Sequence, residues 1–186
     1  VQQIGQLAGE RILVAMVGHT FLFNSAVRYV KKLIDSGELG DVRYIYSQRV
    51  NLGRIRSDVD ALWNLAPHDI SIIQYWLGEP TPISVNRNGM SYVQDGINDV
   101  EFLNIFYPNG ILANIHVSWL DPKKVRQITI VGDKKMVVWD DLDNAGPIKL
   151  YDKHVEKTKT FYETYGEFQL LSKEGSITIP KITSCE

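Results

Sequence analysis

Between Asp99 and Leu120 the sequence spells out a β-hairpin, and this constrains the fold more than any other stretch. Pro108-Asn109-Gly110 is a strong turn signal. Beyond it Ile111, Ala113, Ile115, Val117 and Trp119 alternate strictly. That period of two predicts a strand with one face on a core, and it sends His116 and Ser118 to the other face. Further strand-like runs surround the hairpin: Val42–Val50, Ile83–Val93, Asp99–Tyr107, Val125–Gly132, Met136–Trp139, Lys149–Asp152 and Ser176–Ile179. Asp133-Lys134-Lys135 is another turn. The polar stretch 153–175, with Phe161, Tyr162, Tyr165 and Phe168, reads as a long excursion across the sheet. A largely antiparallel sheet is therefore expected.

Helices precede it. Trp63–Gly78 carries Ile70, Ile73, Trp76 and Leu77 at helical spacing, with Gly78 as its stop. Pro67 suits a first turn, where its missing N–H costs nothing, so Asn64 and His68 are expected at the helix entrance. Asn24 or Ser25 would cap an earlier helix with Val27, Val30, Leu33 and Ile34 inward and Gly37 beyond its end. Residues 1–10 read as a helix tail. The apolar run Ile12–Val17 reads as a strand buried on both faces, as in a parallel α/β sheet. His19, Thr20 and Asn24 would then sit where such sheets place ligands. The fold class expected is α+β, with a leading piece that belongs to an α/β neighbour.

At 186 residues and 44% hydrophobic content the chain can bury a proper core. Twenty basic residues against twenty-two acidic ones argue against a nucleic-acid or anionic-membrane surface. The single Cys185 excludes an internal disulfide and fits a reducing, cytoplasmic setting. No apolar run reaches the roughly 18 residues of a membrane span, and there is no signal-peptide layout. With no initiator Met and a start inside a helix-like run, a piece of a longer protein is expected.

Candidate chemistry gathers in two places. The loop Asn51–Asp58 carries Arg54 and Arg56, whose forks suit phosphate or carboxylate, although surface arginines are the simpler reading of the residues alone. His68 beside Asp69 can trade protons near neutral pH, or be a satisfied structural histidine. Asp140, Asp141 and Asp143 read as a solvated hairpin end, since their spacing matches no closed cation loop. P-loop, GxSxG, HExxH, CxxC and GxGxxG patterns are missing.

Taken together, Val17–Phe21, Ile34–Val42, Trp63–Gly78, Val117–Arg126 and Ile130–Gly132 resemble the Gfo/Idh/MocA oxidoreductases. Asn51–Arg56 and Leu62–Asp69 are most similar to the branch of UDP-N-acetylglucosamine and UDP-N-acetylglucosaminuronate 3-dehydrogenases. The resemblance implies that residues 1–22 are the end of a Rossmann domain holding NAD or NADP. Residues 23–186 would be an open-faced substrate domain with helices on one side, lacking its C-terminal end. The family's Glu-Lys-Pro motif and glycine-rich fingerprint would lie upstream.

By the same resemblance His68 matches the catalytic histidine of an Asp-x-x-x-His pattern, with Asn64 in place of the acid. Asn64 can hydrogen-bond a hydroxyl but cannot act as a base. Asn51, Asn64, Arg54 and Arg56 would bind a sugar or nucleotide-sugar substrate, and His19 would meet the cofactor. The resemblance implies no metal, and a homodimer or homotetramer formed through the open sheet, for which the apolar face Ile111–Trp119 is the expected surface. The alternative is a non-catalytic domain of the same fold, used for assembly or ligand binding.

Overall fold

The computed structural model describes residues 2–156 and 171–182. Its centre is an eight-stranded sheet in the order β2-β3-β4-β1-β5-β6-β7-β8. The strands are β1 (Val42–Leu52), β2 (Ser84–Met90), β3 (Val100–Phe106), β4 (Leu112–Ser118), β5 (Leu120–Gly132), β6 (Met136–Asp140), β7 (Ile148–Glu156) and β8 (Leu171–Thr178). All neighbours pair antiparallel except β1 with β4, which run parallel. That pairing requires the chain to cross back over the sheet after β1, and a helix makes the crossing. The fold is α+β.

Two helices cover one face of the sheet. In α2 (Ser25–Asp35), the Asn24 side chain accepts hydrogen bonds from the N–H groups of Ala26 and Val27, at 2.8 and 3.3 Å. Val27, Val30 and Leu33 are buried on its inner stripe. In α3 (Ala61–Leu77), Ala66, Ile72, Ile73 and Trp76 are buried, and Gly78 ends the helix in the left-handed conformation at φ 78°. The Trp76 indole donates to the Val27 carbonyl at 2.9 Å, tying the two helices together. Beneath them lie Ile45, Ile115, Ile130 and Trp139, all essentially without exposure.

Four expectations change. The helix carrying His68 begins at Ala61, not near Pro67: Asp60 is its cap, accepting from the Trp63 N–H at 2.7 Å. Pro67 lies inside the helix, where the Trp63 carbonyl loses its usual i+4 donor. Trp63 is exposed, so water can serve that carbonyl. His68 is consequently two turns away from the N-terminal N–H groups.

The run Ile12–Val17 is not a strand but an irregular, exposed segment after α1 (Gln2–Glu10), with Ile12 and Val14 more than nine-tenths exposed. A strand buried on both faces needs a neighbour on each side, and none of the described strands pairs with it. The face bearing Ala113, Ile115, Val117 and Trp119 is interior, packed under α3, so the uncovered face is the opposite one. Finally, β7 and β8 extend into 153–175 from both sides. The aromatics Phe161, Tyr162, Tyr165 and Phe168, and Cys185, lie outside the described residues. No described helix is long and apolar enough to cross a membrane.

Candidate active site

Where β1 ends beside α3, a cavity of about 250 Å³ opens on the helix-covered side of the sheet. Arg49 and Asn51 from β1, Arg54 from the loop after it, and Asn64 and His68 from α3 line it. Phe21, in a short 3₁₀ turn (Thr20–Phe23), and Trp119, Lys124 and Arg126 around β5 complete the wall. Asn64 and His68 are four apart, hence on one stripe of the helix. The loop is seated by the Gly53 N–H, which donates to the Trp119 carbonyl at 3.0 Å. A Cβ on Gly53 would lie 2.8 Å from the Asn51 amide nitrogen, so glycine permits this close approach.

The His68 ring is half-buried and stands edge-on to Phe21, with centroids 5.2 Å apart. Its imidazole makes no hydrogen bond to the described residues, although its backbone carbonyl accepts one from the Ser71 hydroxyl. Burial lowers its pKa first, and the nearby Arg49 charge lowers it further; Asp69 opposes this, and Arg126 and His19 add smaller lowering effects. The ring is thereby biased toward its neutral, proton-accepting form at neutral pH.

The cations of the cavity fall into two classes. Arg49 is buried and bonded to Asp69 by both forks, at 2.8 and 3.1 Å, and Arg126 reaches Asp141 at 3.3 Å. Arg54 and Lys124 have no acidic partner among the described residues. Arg56 lies outside the cavity: it is exposed and clamps Asp58 through two hydrogen bonds of 2.9 and 2.6 Å. His19 is half-exposed ahead of the 3₁₀ turn and does not line the cavity. His116 stacks on Phe102 on the far face, 4.4 Å between centroids. Asp140 and Asp143 accept hydrogen bonds from turn N–H groups, and Asp141 pairs with Arg126.

Asn51, Arg54, Asn64 and His68 thus converge, while Arg56 and His19 do not join them. Arg49, Lys124 and Arg126 are cavity residues that the sequence reading did not single out. A signal for Arg49 existed: it shares the parity of the core positions Ile45 and Ser47, and a cation there must be paired or functional.

Residues 27–138 match the model of the GFO/IDH/MocA C-terminal domain family. The chain belongs to the Gfo/Idh/MocA oxidoreductase family. Among similar proteins is 2,7-anhydro-N-acetylneuraminate hydratase of Escherichia coli strain K12, 21% identical over 73% of this chain and 40% of that protein. Similar solved structures include UDP-N-acetylglucosamine 3-dehydrogenase GnnA from Acidithiobacillus ferrooxidans, with TM-score 0.67 and 25% identity over 81% of this chain and 48% of that one. An inositol dehydrogenase homologue from Azotobacter vinelandii, complexed with NADH and myo-inositol, superposes with TM-score 0.71 at 14% identity, covering 95% of this chain and 47% of that one. The chain spans less than half the length of each of these proteins.

Proposed function

We propose that the full-length protein is an NAD(P)-dependent dehydrogenase acting on a hydroxyl of an anionic sugar derivative, a UDP-N-acetylhexosamine or its uronate. The observation that carries this reading is the proton-accepting imidazole of His68, without a hydrogen bond among the described residues and open to a cavity whose wall bears Arg54 and Lys124, cations with no acidic partner among the described residues. Two relatives support an anionic substrate by name, one acting on a UDP-sugar and one on a neuraminate. Myo-inositol, bound by the third, is neutral.

In this reading the substrate hydroxyl faces His68, which takes its proton as the carbonyl forms. Asn64, one turn away, and Asn51 hold neighbouring hydroxyls, because an amide both donates and accepts. Arg54 and Lys124 receive the diphosphate or uronate. A nicotinamide bound beside this cavity would supply the hydride acceptor for the same carbon. His19 fits contact with that group, being half-exposed, without a side-chain hydrogen bond among the described residues, and near enough to His68 for its charge to be felt there. Residues 1–22 then belong to the cofactor domain, and the exposed apolar run Ile12–Val17 is the segment that such a domain would cover.

The test is absorbance of reduced nicotinamide with the full-length protein, UDP-N-acetylglucosamine or its uronate, and NAD⁺ or NADP⁺. Turnover is expected, and His68→Ala should lower kcat by roughly 10²–10⁴-fold, the usual worth of a positioned proton acceptor. A fully active His68→Ala enzyme would remove the residue from the chemistry.

A further inference from the structure

Arg49 and Arg126 stand directly opposite each other on β1 and β5. Like charges in that relation are destabilising, and here each is offset by its own carboxylate, Asp69 for the first and Asp141 for the second. The Arg49–Asp69 pair is buried on both sides, with side chains 6% and 2% exposed. Buried pairs of this kind are often replaceable by apolar side chains with no loss of stability. Joining β1 to α3 therefore does not by itself account for them.

Their position offers another account. The Arg49 guanidinium lies over the Phe21 ring, 4.9 Å from its centroid, and the same Phe21 meets the His68 ring edge-on. Asp69, which holds Arg49, is the next residue after His68 on α3. Two contacts thus lead from the His68 position to Arg49, one through its helix neighbour Asp69 and one through Phe21.

We propose that Arg49 is a positioning residue for His68: clamped by Asp69 and resting on Phe21, it fixes the imidazole toward the cavity and sets the charge beneath it. The role of His68 rests on the functional reading above. The charged groups around the ring are Arg49 from β1, Asp69 from α3, Lys124 and Arg126 from β5, Arg54 from the loop and His19 ahead of the 3₁₀ turn. Of these, Arg49 lowers the His68 pKa most after burial, and its effect outranks the opposing one of Asp69.

The experiment follows the His68 ring resonance through a pH titration of the full-length protein, assigned with His68→Gln, beside the pH profile of kcat/KM. Arg49→Met alone would strand a buried carboxylate, so the informative variant is Arg49→Met/Asp69→Leu, which leaves no unpaired charge. In that variant, with thermal unfolding still cooperative, the His68 midpoint is expected to move to higher pH. Below the midpoint, neutral imidazole falls tenfold per pH unit, so the acid limb of kcat/KM should move with it. Arg49→Lys, which keeps the charge, should hold the midpoint near that of the unaltered protein.

A midpoint unmoved in the folded double variant would overturn the proposal. So would a shift in Arg49→Lys as large as in the double variant, because packing and not charge would then be responsible. A midpoint that moves while the acid limb stays would leave Arg49 acting on His68, and would instead overturn His68 as the proton acceptor.

Discussion

Arg54 and Lys124 are the two cavity cations without an acidic partner among the described residues, and that is what separates them from Arg49, Arg126 and Arg56. A guanidinium already bound by a carboxylate has less to offer a ligand than one facing only water. Arg54→Ala and Lys124→Ala are each expected to raise KM for a UDP-sugar by roughly tenfold or more, the value of one charge-assisted hydrogen bond, with kcat changed far less. Arg56→Ala should leave KM in place, because its forks are occupied by Asp58 at the exposed surface. Steady-state kinetics on the full-length protein decide this, and equal effects of Arg54→Ala and Arg56→Ala would sink the distinction. Sequence alone could not draw it, since the two arginines are two apart in one polar loop and only the path of the backbone separates them. His68, Asn64 and Asn51 were legible because their spacing on a helix and a strand end survives any small error in boundaries. Lys124 and Arg126 were not, because they reach the cavity through the pairing of β5 with β1, a contact between distant parts of the chain.

At the scale of elements, α3 decides where the site lies, and Asp60 decides where α3 begins. One Asp60 oxygen accepts from the Trp63 N–H, and the other meets Arg87, which also grips the buried Glu101. Helix start, strand β2 and strand β3 are thereby joined through the Arg87 guanidinium. The Arg87 pKa is raised chiefly by its hydrogen bond to Glu101, with Asp60 adding to it, as expected of a cation held by two carboxylates. Asp60→Ala should cost about 1–2 kcal/mol, the worth of a lost helix cap, which for a domain of this size lowers Tm by roughly 2–8 °C. Asp60→Asn keeps a capping oxygen and should recover most of that loss. Thermal melts of the full-length protein test it, and an Asp60→Asn protein as unstable as Asp60→Ala would place the effect in the Arg87 contact instead. The helix starts ahead of Pro67 because packing overrides the local signal. Pro67 is a stronger local signal for a first turn than Asp60, but burial of Ala61 and Ala66 on the sheet extends the helix back through it. The strands fared better, since strict alternation and a Pro-Asn-Gly turn leave few alternatives. The exception is Ile12–Val17, where an apolar run met no pairing partner among the described strands.

On the whole molecule, the face of the sheet away from the helices is left open, and its register is regular. Phe106, Leu112, Tyr44, Val131, Met136, Tyr151 and Ile177 form one continuous apolar row across β3, β4, β1, β5, β6, β7 and β8. In the adjacent row Asn114 donates to Asn104 at 2.8 Å, next to Tyr46. Tyr44 and Phe106 are each 43% exposed, which is high for large rings set in the middle of a sheet. An apolar row flanked by amides suits an identical surface: rows stack on rows, amides pair with amides, and a two-fold axis brings the same groups together. We therefore propose that a second copy of the chain covers this face, giving a homodimer or, with a further interface, a homotetramer. Tyr44→Glu tests it, because the side chain points to solvent in one copy and would bury a charge in the pair. The full-length variant is expected to keep its circular dichroism while its mass by light scattering falls to that of a smaller assembly. A folded Tyr44→Glu protein with the mass of the unaltered one would show that this face is not where copies meet.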